Sequence, residues 1–343
     1  MIAIRPMTAA DIPLGMRLKD QAGWNQTEAD WHRLLALDPE GCFVAELDGR
    51  AVGTTATTLF GPIGWISMVL VEASVRRLGI GTRLLEHALA YLDRAGAKTV
   101  RLDATPLGRP VYEKLGFVED YELARWEGVA GRGLPEGVPA FLAEHERIIR
   151  GRAALPSRCL GEVQHAGAES LAGAVALDFE VTGTSRRRLI ERLCQERPDA
   201  LRLYAVGGGA LAYCFHRHGS RAVEIGPLVA RRKPAGAPPA PAPGLLDIGG
   251  ILAKEDTETR LARAEFGMMA RGQSAGWSLA DAMLVDLAGL PILVDIPAPN
   301  TAAIAWATSH GLTVQRPFVR MHRGPPVLDE PKQIWASFGP EKG

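Results

Sequence analysis

Apolar positions in the first 126 residues switch between a helical and a strand period. Residues 9–21 and 27–37 repeat at helical spacing, the second stretch opening at Thr27 with an acidic first turn ahead of Trp31, Leu34 and Leu35. The segments CFVAEL and AVGTTATTLF flank the dipeptide Asp48-Gly49 and predict a hairpin. WISMVLV, residues 65–71, is a continuous apolar run of strand length, as expected of a strand covered on both faces. Leu84, Leu85, Ala88, Leu89 and Leu92 then keep the helix period until Gly96 stops it. TVRLDAT predicts a strand, RPVYEKLGF a short helix ended by Gly116, and a last strand follows. The order of helix, helix, hairpin, strand, helix, strand, helix, strand makes one α+β unit of mixed α/β content.

The same order recurs further on. LRLYAVGGGALAYCFHRHG at 201–219 repeats the hairpin, RAVEIGPLVARR at 221–232 stands where GWISMVLVEASVRR stood, and ILVDIPAPNTAAIAWATSHGLTV at 292–314 matches VRLDATPLGRPVYEKLGFVED. A repeated order of elements can outlast residue identity, so the chain reads as a tandem duplication. The copies differ in one place: Val71 to Asp103 spans 32 positions, Val229 to Asp295 spans 66, and the excess holds the Pro-rich stretch 234–244. The boundaries read from the pattern are a first unit at 1–128, a connector with a helix at 129–158, a second unit at 159–325 with a Pro-rich insertion at 231–275, and a tail at 326–343.

Composition agrees with that division. At ~100–200 residues per domain, a 343-residue chain predicts two. With 47% hydrophobic and 23% charged residues it is an ordinary globular sequence. Lys plus Arg and Asp plus Glu both number 39, so no global field gathers nucleic acid or anionic lipid. The start, MIAIRPMTAADIP, lacks a signal-peptide core and no apolar run reaches the ~20 residues of a membrane span, which predicts a cytoplasmic protein. Cys42, Cys159, Cys194 and Cys214 show no CxxC spacing and predict reduced thiols. His216 and His218 lie two apart on a predicted strand without ligand neighbours, so no metal site is expected. Arg186-Arg187-Arg188 and Arg231-Arg232-Lys233 read as solvated faces or helix ends.

Candidate chemistry concentrates at Arg76-Arg77-Leu78-Gly79-Ile80-Gly81-Thr82, a glycine-punctuated turn between a buried strand and an amphipathic helix. Glycines admit close backbone approach, and a helix amino terminus offers unpaired N–H groups and a positive dipole end to an anion. A Walker loop would need Gly-Lys-Ser/Thr, whereas Thr82 and Arg83 follow Gly81. A dinucleotide fingerprint would need a third glycine where Leu84 stands.

Arg76, Gly79 and Gly81 resemble the pyrophosphate-binding motif Gln/Arg-x-x-Gly-x-Gly/Ala of the GNAT acyltransferases. Together with GWNQTEADWHRLL, WISMVLV, LDATPLGRPVYEKLGF, EIGPLVA and VDIPAPN, they make the chain similar to the tandem-GNAT subfamily of the YitH type. The resemblance covers most of the chain and is weakest between 231 and 280. It implies two tandem GNAT-like domains, each a mixed, partly splayed sheet flanked by helices.

It also implies an acetyl-CoA-dependent N-acetyltransferase without a metal. The pantetheine arm would pair with Met68, Val69, Leu70 and Val71, and the pyrophosphate would sit on the N–H groups of Arg77 to Thr82. A substrate amine would attack the thioester directly, with the Val69 N–H stabilising the oxyanion. Tyr112, the tyrosine of the Tyr-x-x-x-Gly-Phe phrase, would protonate the leaving thiolate. WISMVLV carries no glutamate, so Asp103 becomes the first candidate to bind or deprotonate the amine, ahead of Asp30 and Glu72. Trp24, Asn25 and Trp31 fall in the helical region that covers the acceptor side. Plainer readings stand beside these: Tyr112 and both tryptophans as packing residues, Asp103 as a cap for the following turn.

Thr105 replaces the asparagine that many members carry seven residues before the tyrosine. The second half keeps that asparagine, Asn300, but has Ala307 in place of the tyrosine and no x-x-Gly-x-Gly spacing after its strand. This half is therefore expected not to bind acetyl-CoA but to close over the acceptor side, with Tyr213 and Asp178 as polar contributors and a small amine as acceptor. A second reading, motivated by the missing glutamate and the degenerate half, is a non-catalytic acyl-CoA-binding sensor or interaction module. A third is a protein-modifying acetyltransferase.

Overall fold

Local sequence decides most elements. The computed structural model describes residues 1–131, 162–165, 168–206, 209–231 and 274–340. Apart from their edges, the connector helix expected in 129–158 and the Pro-rich insertion 231–275 lie outside the described residues.

The first half runs β1 (Ile2–Pro6), α1 (Ile12–Gln21), α2 (Glu28–Leu37), β2 (Cys42–Leu47), β3 (Arg50–Phe60), β4 (Ile63–Val71), α3 (Ile80–Arg94), β5 (Thr99–Ala104), α4 (Arg109–Lys114) and β6 (Val118–Val129). The second runs β7 (Glu162–His165), α5 (Ala168–Thr182), α6 (Arg187–Glu196), β8 (Leu201–Val206), β9 (Gly209–His218), β10 (Val223–Ala230), α7 (Ser274–Asp286), β11 (Pro291–Pro297), α8 (Thr301–Ser309) and β12 (Thr313–Arg323), with a short β13 (Ile334–Ala336) after it. The first predicted helix is divided, a 3-10 turn at Ala9–Asp11 preceding α1, because Pro13 is tolerated only in a first turn. Thr27 and Asp30 form a capping box that starts α2. The periodic residues of α3, Ile80, Leu84, Leu85, Ala88, Leu89 and Leu92, are those it buries.

The thirteen strands of the described residues join one sheet, in the order β1-β2-β3-β4-β5-β12-β6-β11-β10-β9-β8-β7, with β13 alongside β10. The order reads as two copies facing each other, except that the sixth strand of each copy has crossed. β12 pairs with β5 of the first half, and β6 with β11 of the second. The two exchanged strands pair antiparallel with each other around Leu123 and Phe318, giving the molecule an internal pseudo-two-fold axis.

Buried ion pairs lock the exchange and obey the same symmetry. Arg320 on β12 donates to both oxygens of Asp103 on β5, each at 2.8 Å. Arg125 on β6 does the same to Asp295 on β11, each at 2.7 Å. One apolar cluster also spans the halves, joining Leu37, Phe60 and Trp65 to Leu177, Leu189, Ile190 and Phe338. Among the described residues no helix is long and apolar enough to cross a membrane.

Candidate active site

β4 and β5 run parallel and pair only at Ile63↔Thr99, Gly64↔Val100 and Trp65↔Arg101, after which they part. Within β4, Met68 adopts φ +52° and the register with β3 slips, Ser67 pairing with Ala56 and Leu70 with Thr54. Met68 and Val69 are thus the extra residues of a β-bulge, which bends the strand away from β5 and opens a notch.

The strand leads straight into the glycine turn. After a 3-10 turn at Ala73–Val75, Arg77 takes φ +67° and Gly79, at the amino cap of α3, takes φ +82°, a left-handed conformation that glycine adopts without strain. No side chain caps the helix. Its first N–H groups consequently face outward without an intrahelical partner. The space in front of them is open: a Cβ at Gly79 would meet nothing within 4 Å, and one at Gly81 only Val71 Cγ2, at 3.8 Å. Arg76 folds back, its Nε donating to the Val71 carbonyl at 3.0 Å. Met68 to Val71 and Arg76 to Thr82 therefore form one continuous rim, fit to receive a pyrophosphate on backbone N–H groups.

Tyr112 stands on α4 with its ring edge-on to Phe117, centroids 6.0 Å apart. Among the described residues its hydroxyl has no hydrogen-bond partner, and burial pushes its pKa up to about 12. Thr105 closes the turn before α4, its Oγ1 accepting from the Gly108 N–H at 3.2 Å.

Several residues named from sequence are engaged elsewhere. Asp103, expected as the base, has a fully buried side chain and both oxygens bound by Arg320, so it is a partner in the strand-exchange ion pair. Asp30 accepts from Thr27 and Arg33. Glu72 is paired with Arg50 and Arg17, the Arg50 hydrogen bonds drawing its pKa down. Asn25, expected on the substrate, instead clamps the β9–β10 turn: its Nδ2 donates to the Ala222 carbonyl at 3.0 Å and its Oδ1 accepts from the Arg221 and Ala222 N–H groups. Tyr213 is wholly buried and donates to Asp178, which Arg186 also binds, so neither Tyr213 nor Asp178 reaches an acceptor. Arg186, expected as solvated, is therefore a core ion-pair member. Trp31 is buried and Trp24 half-buried in the cluster holding α1 and α2.

Sequence reasoning missed Ser67. Its neighbour Ile66 packs under α3, while Met68 and Leu70 pack with Trp31 on the opposite face. Ser67 shares that α1–α2 face by strand alternation. Among the described residues its buried Oγ has no hydrogen-bond partner, nor has Trp31 Nε1. The one available signal was a lone hydroxyl in an otherwise apolar run.

The matching notch of the second half is filled. β10 pairs parallel with β11 only through Ile225↔Val294, and beyond its own bulge β13 lies antiparallel on Leu228 and Val229. Asn300 caps α8 and donates its Nδ2 to the Ile334 carbonyl at 2.9 Å. Ala307, where a tyrosine would stand, is fully buried. A cleft of about 510 Å³ lies elsewhere, lined by Gly23, Arg125, Glu127, Arg221 and Arg316, and shares no residue with the first notch. Among the described residues no group of three or more His, Cys, Asp or Glu side chains could hold a metal ion.

The profile of the Acetyltransferase (GNAT) family matches residues 14–117. The chain is 32% identical over 102 residues to the N-acetyltransferase YitH of Bacillus subtilis, covering 30% of this chain and 36% of that one. It is 36% identical over 101 residues to an N-acetyltransferase of Archaeoglobus fulgidus, covering 27% of this chain and 67% of the relative. The matches span 36%, 29% and 38% of the length of the first three curated relatives. Over the whole chain the fold is similar to a crystal structure from Pyrococcus horikoshii, with TM-score 0.67 at 18% identity, covering 100% of this chain and 96% of that one.

Proposed function

The chain belongs to the GNAT acetyltransferase family, and from that premise we propose that its first half transfers an acetyl group from acetyl-CoA to the amine of a small acceptor. The observation that carries this is the junction of an unpaired, bulged β4 edge with the uncapped, glycine-shaped start of α3. Acetyl-CoA supplies the activated acyl group. The β4 backbone from Met68 to Val71 binds its amides, and the N–H groups of Arg77 to Thr82 hold its phosphates.

The Val69 N–H, at the bulge, donates to the carbonyl oxygen where negative charge develops. Tyr112 gives its proton to the departing sulfur. A phenol with its pKa raised to about 12 remains protonated at neutral pH and so keeps a proton to give. Asp103, Asp30 and Glu72 are all held in ion pairs. Removal of the amine proton therefore falls to water.

Thermal shift with acetyl-CoA tests the reading. A saturable stabilisation is expected, abolished by Gly81→Glu, which sets a carboxylate in the anion cradle. No CoA-dependent shift would overturn it. The paired state of all three carboxylates also favours a second reading, a non-catalytic acyl-CoA sensor. Release of free thiol with any member of an amine panel decides for the enzyme.

A further inference from the structure

The strand that fills the second notch is held on both sides. Leu228 and Val229 of β10 pair with Ala336 and Ile334, the Ser337 N–H donates to the Asp295 carbonyl of β11 at 2.9 Å, and Asn300 donates to the Ile334 carbonyl. The backbone of β13 thus bridges the two parted strands. Its side chains are seated as well. Trp335 is 6% exposed and lies edge-on to Trp277, ring centroids 6.5 Å apart. It also rests on Gly276, where a Cβ would come within 2.2 Å of its ring. Phe338 is fully buried beneath the Arg186 guanidinium, 4.5 Å from the ring centroid. The tail then reaches the first half, where the Pro340 carbonyl accepts from Trp65 Nε1 at 3.2 Å, two residues before Ser67 on β4.

In the first half, among the described residues, no strand pairs on that side with the corresponding stretch of β4 just past its bulge. Resting on the reading that this first notch takes the arm of acyl-CoA, we propose that the second notch is a binding site for an extended peptide carrying an aromatic side chain, occupied in cis by Ile334–Ser337. Main-chain pairing along an open strand edge supplies the binding and the Trp335 seat the selectivity, as in strand-addition recognition. Asn300 acts on the peptide carbonyl. The occupied notch leaves no open strand edge there for a second acyl-CoA arm.

A protease recognition sequence inserted after Pro326, beside the exposed Leu328, allows the tail to be cut in the folded full-length chain. The cut tail is expected to co-elute with the body on gel filtration and to exchange with a fluorescent synthetic peptide of residues 330–340. Trp335→Ala in the tail, or Asn300→Ala in the body, should weaken peptide binding at least tenfold. Separation of the unmodified tail, or equal retention with Trp335→Ala, overturns the proposal. The acetyl-CoA thermal shift of the uncut chain reports on the first notch alone. A retained tail without that shift sinks the acyl-transfer reading only, and the shift with a lost tail sinks this one.

Discussion

At the scale of single residues, the site depends on what a side chain touches. Among the described residues the Tyr112 hydroxyl has no partner, and if it is the proposed acid Tyr112→Phe should lower kcat at least ~100-fold while leaving acetyl-CoA affinity unchanged, measured by thiol release and calorimetry. In the proposed acid role its protonated form acts, and burial pushes its pKa up to about 12. The rate should therefore rise as the acceptor amine loses its proton and hold level to about pH 10, and an alkaline fall below that would remove Tyr112 from the role. Ser67→Ala removes a buried hydroxyl that has no hydrogen-bond partner among the described residues, so it should leave Tm unchanged or raised. The turn that carries Arg76, Gly79 and Gly81 and the helix that carries Tyr112 were legible because each is written in consecutive residues. Asp103 misled, because its partner Arg320 stands 217 positions away.

Elements were legible in proportion to how local their causes are. The stripe of α3, the hairpin at Asp48-Gly49 and the stop at Gly116 follow from spacing and backbone preference. The place of β6 and β12 in the sheet does not. Neither keeps a strict two-residue alternation, β12 burying five residues in succession, and nothing in either pattern says which neighbour it will pair with. Two ion pairs, Asp103–Arg320 and Asp295–Arg125, are buried across the exchange and join residues far apart in the chain. Arg320→Met should cost about 3–5 kcal/mol in chemical denaturation because it strands a buried carboxylate, and Asp103→Leu added to it should recover most of the loss.

For the whole molecule, crossed strands mean that neither half has a complete sheet alone, so thermal unfolding should show one cooperative transition rather than two. Acid should weaken it through His216, whose pKa burial lowers to about 4 from ~6.5 unfolded. The unfolded chain takes the proton first, so stability present above about pH 6.5 falls by roughly 3 kcal/mol as pH approaches 4. His216→Gln should flatten that part of a urea-midpoint profile. The sequence by itself determined two copies of one α+β order, a glycine-punctuated turn between strand and helix in the first and a proline-rich stretch at that place in the second, since these rest on period, glycine and proline. Only the tertiary structure decided that the copies exchange a strand, that the expected base is an ion-pair partner, and that the tail occupies the second notch. Those outcomes depend on pairings between residues far apart in the chain, which local pattern does not encode.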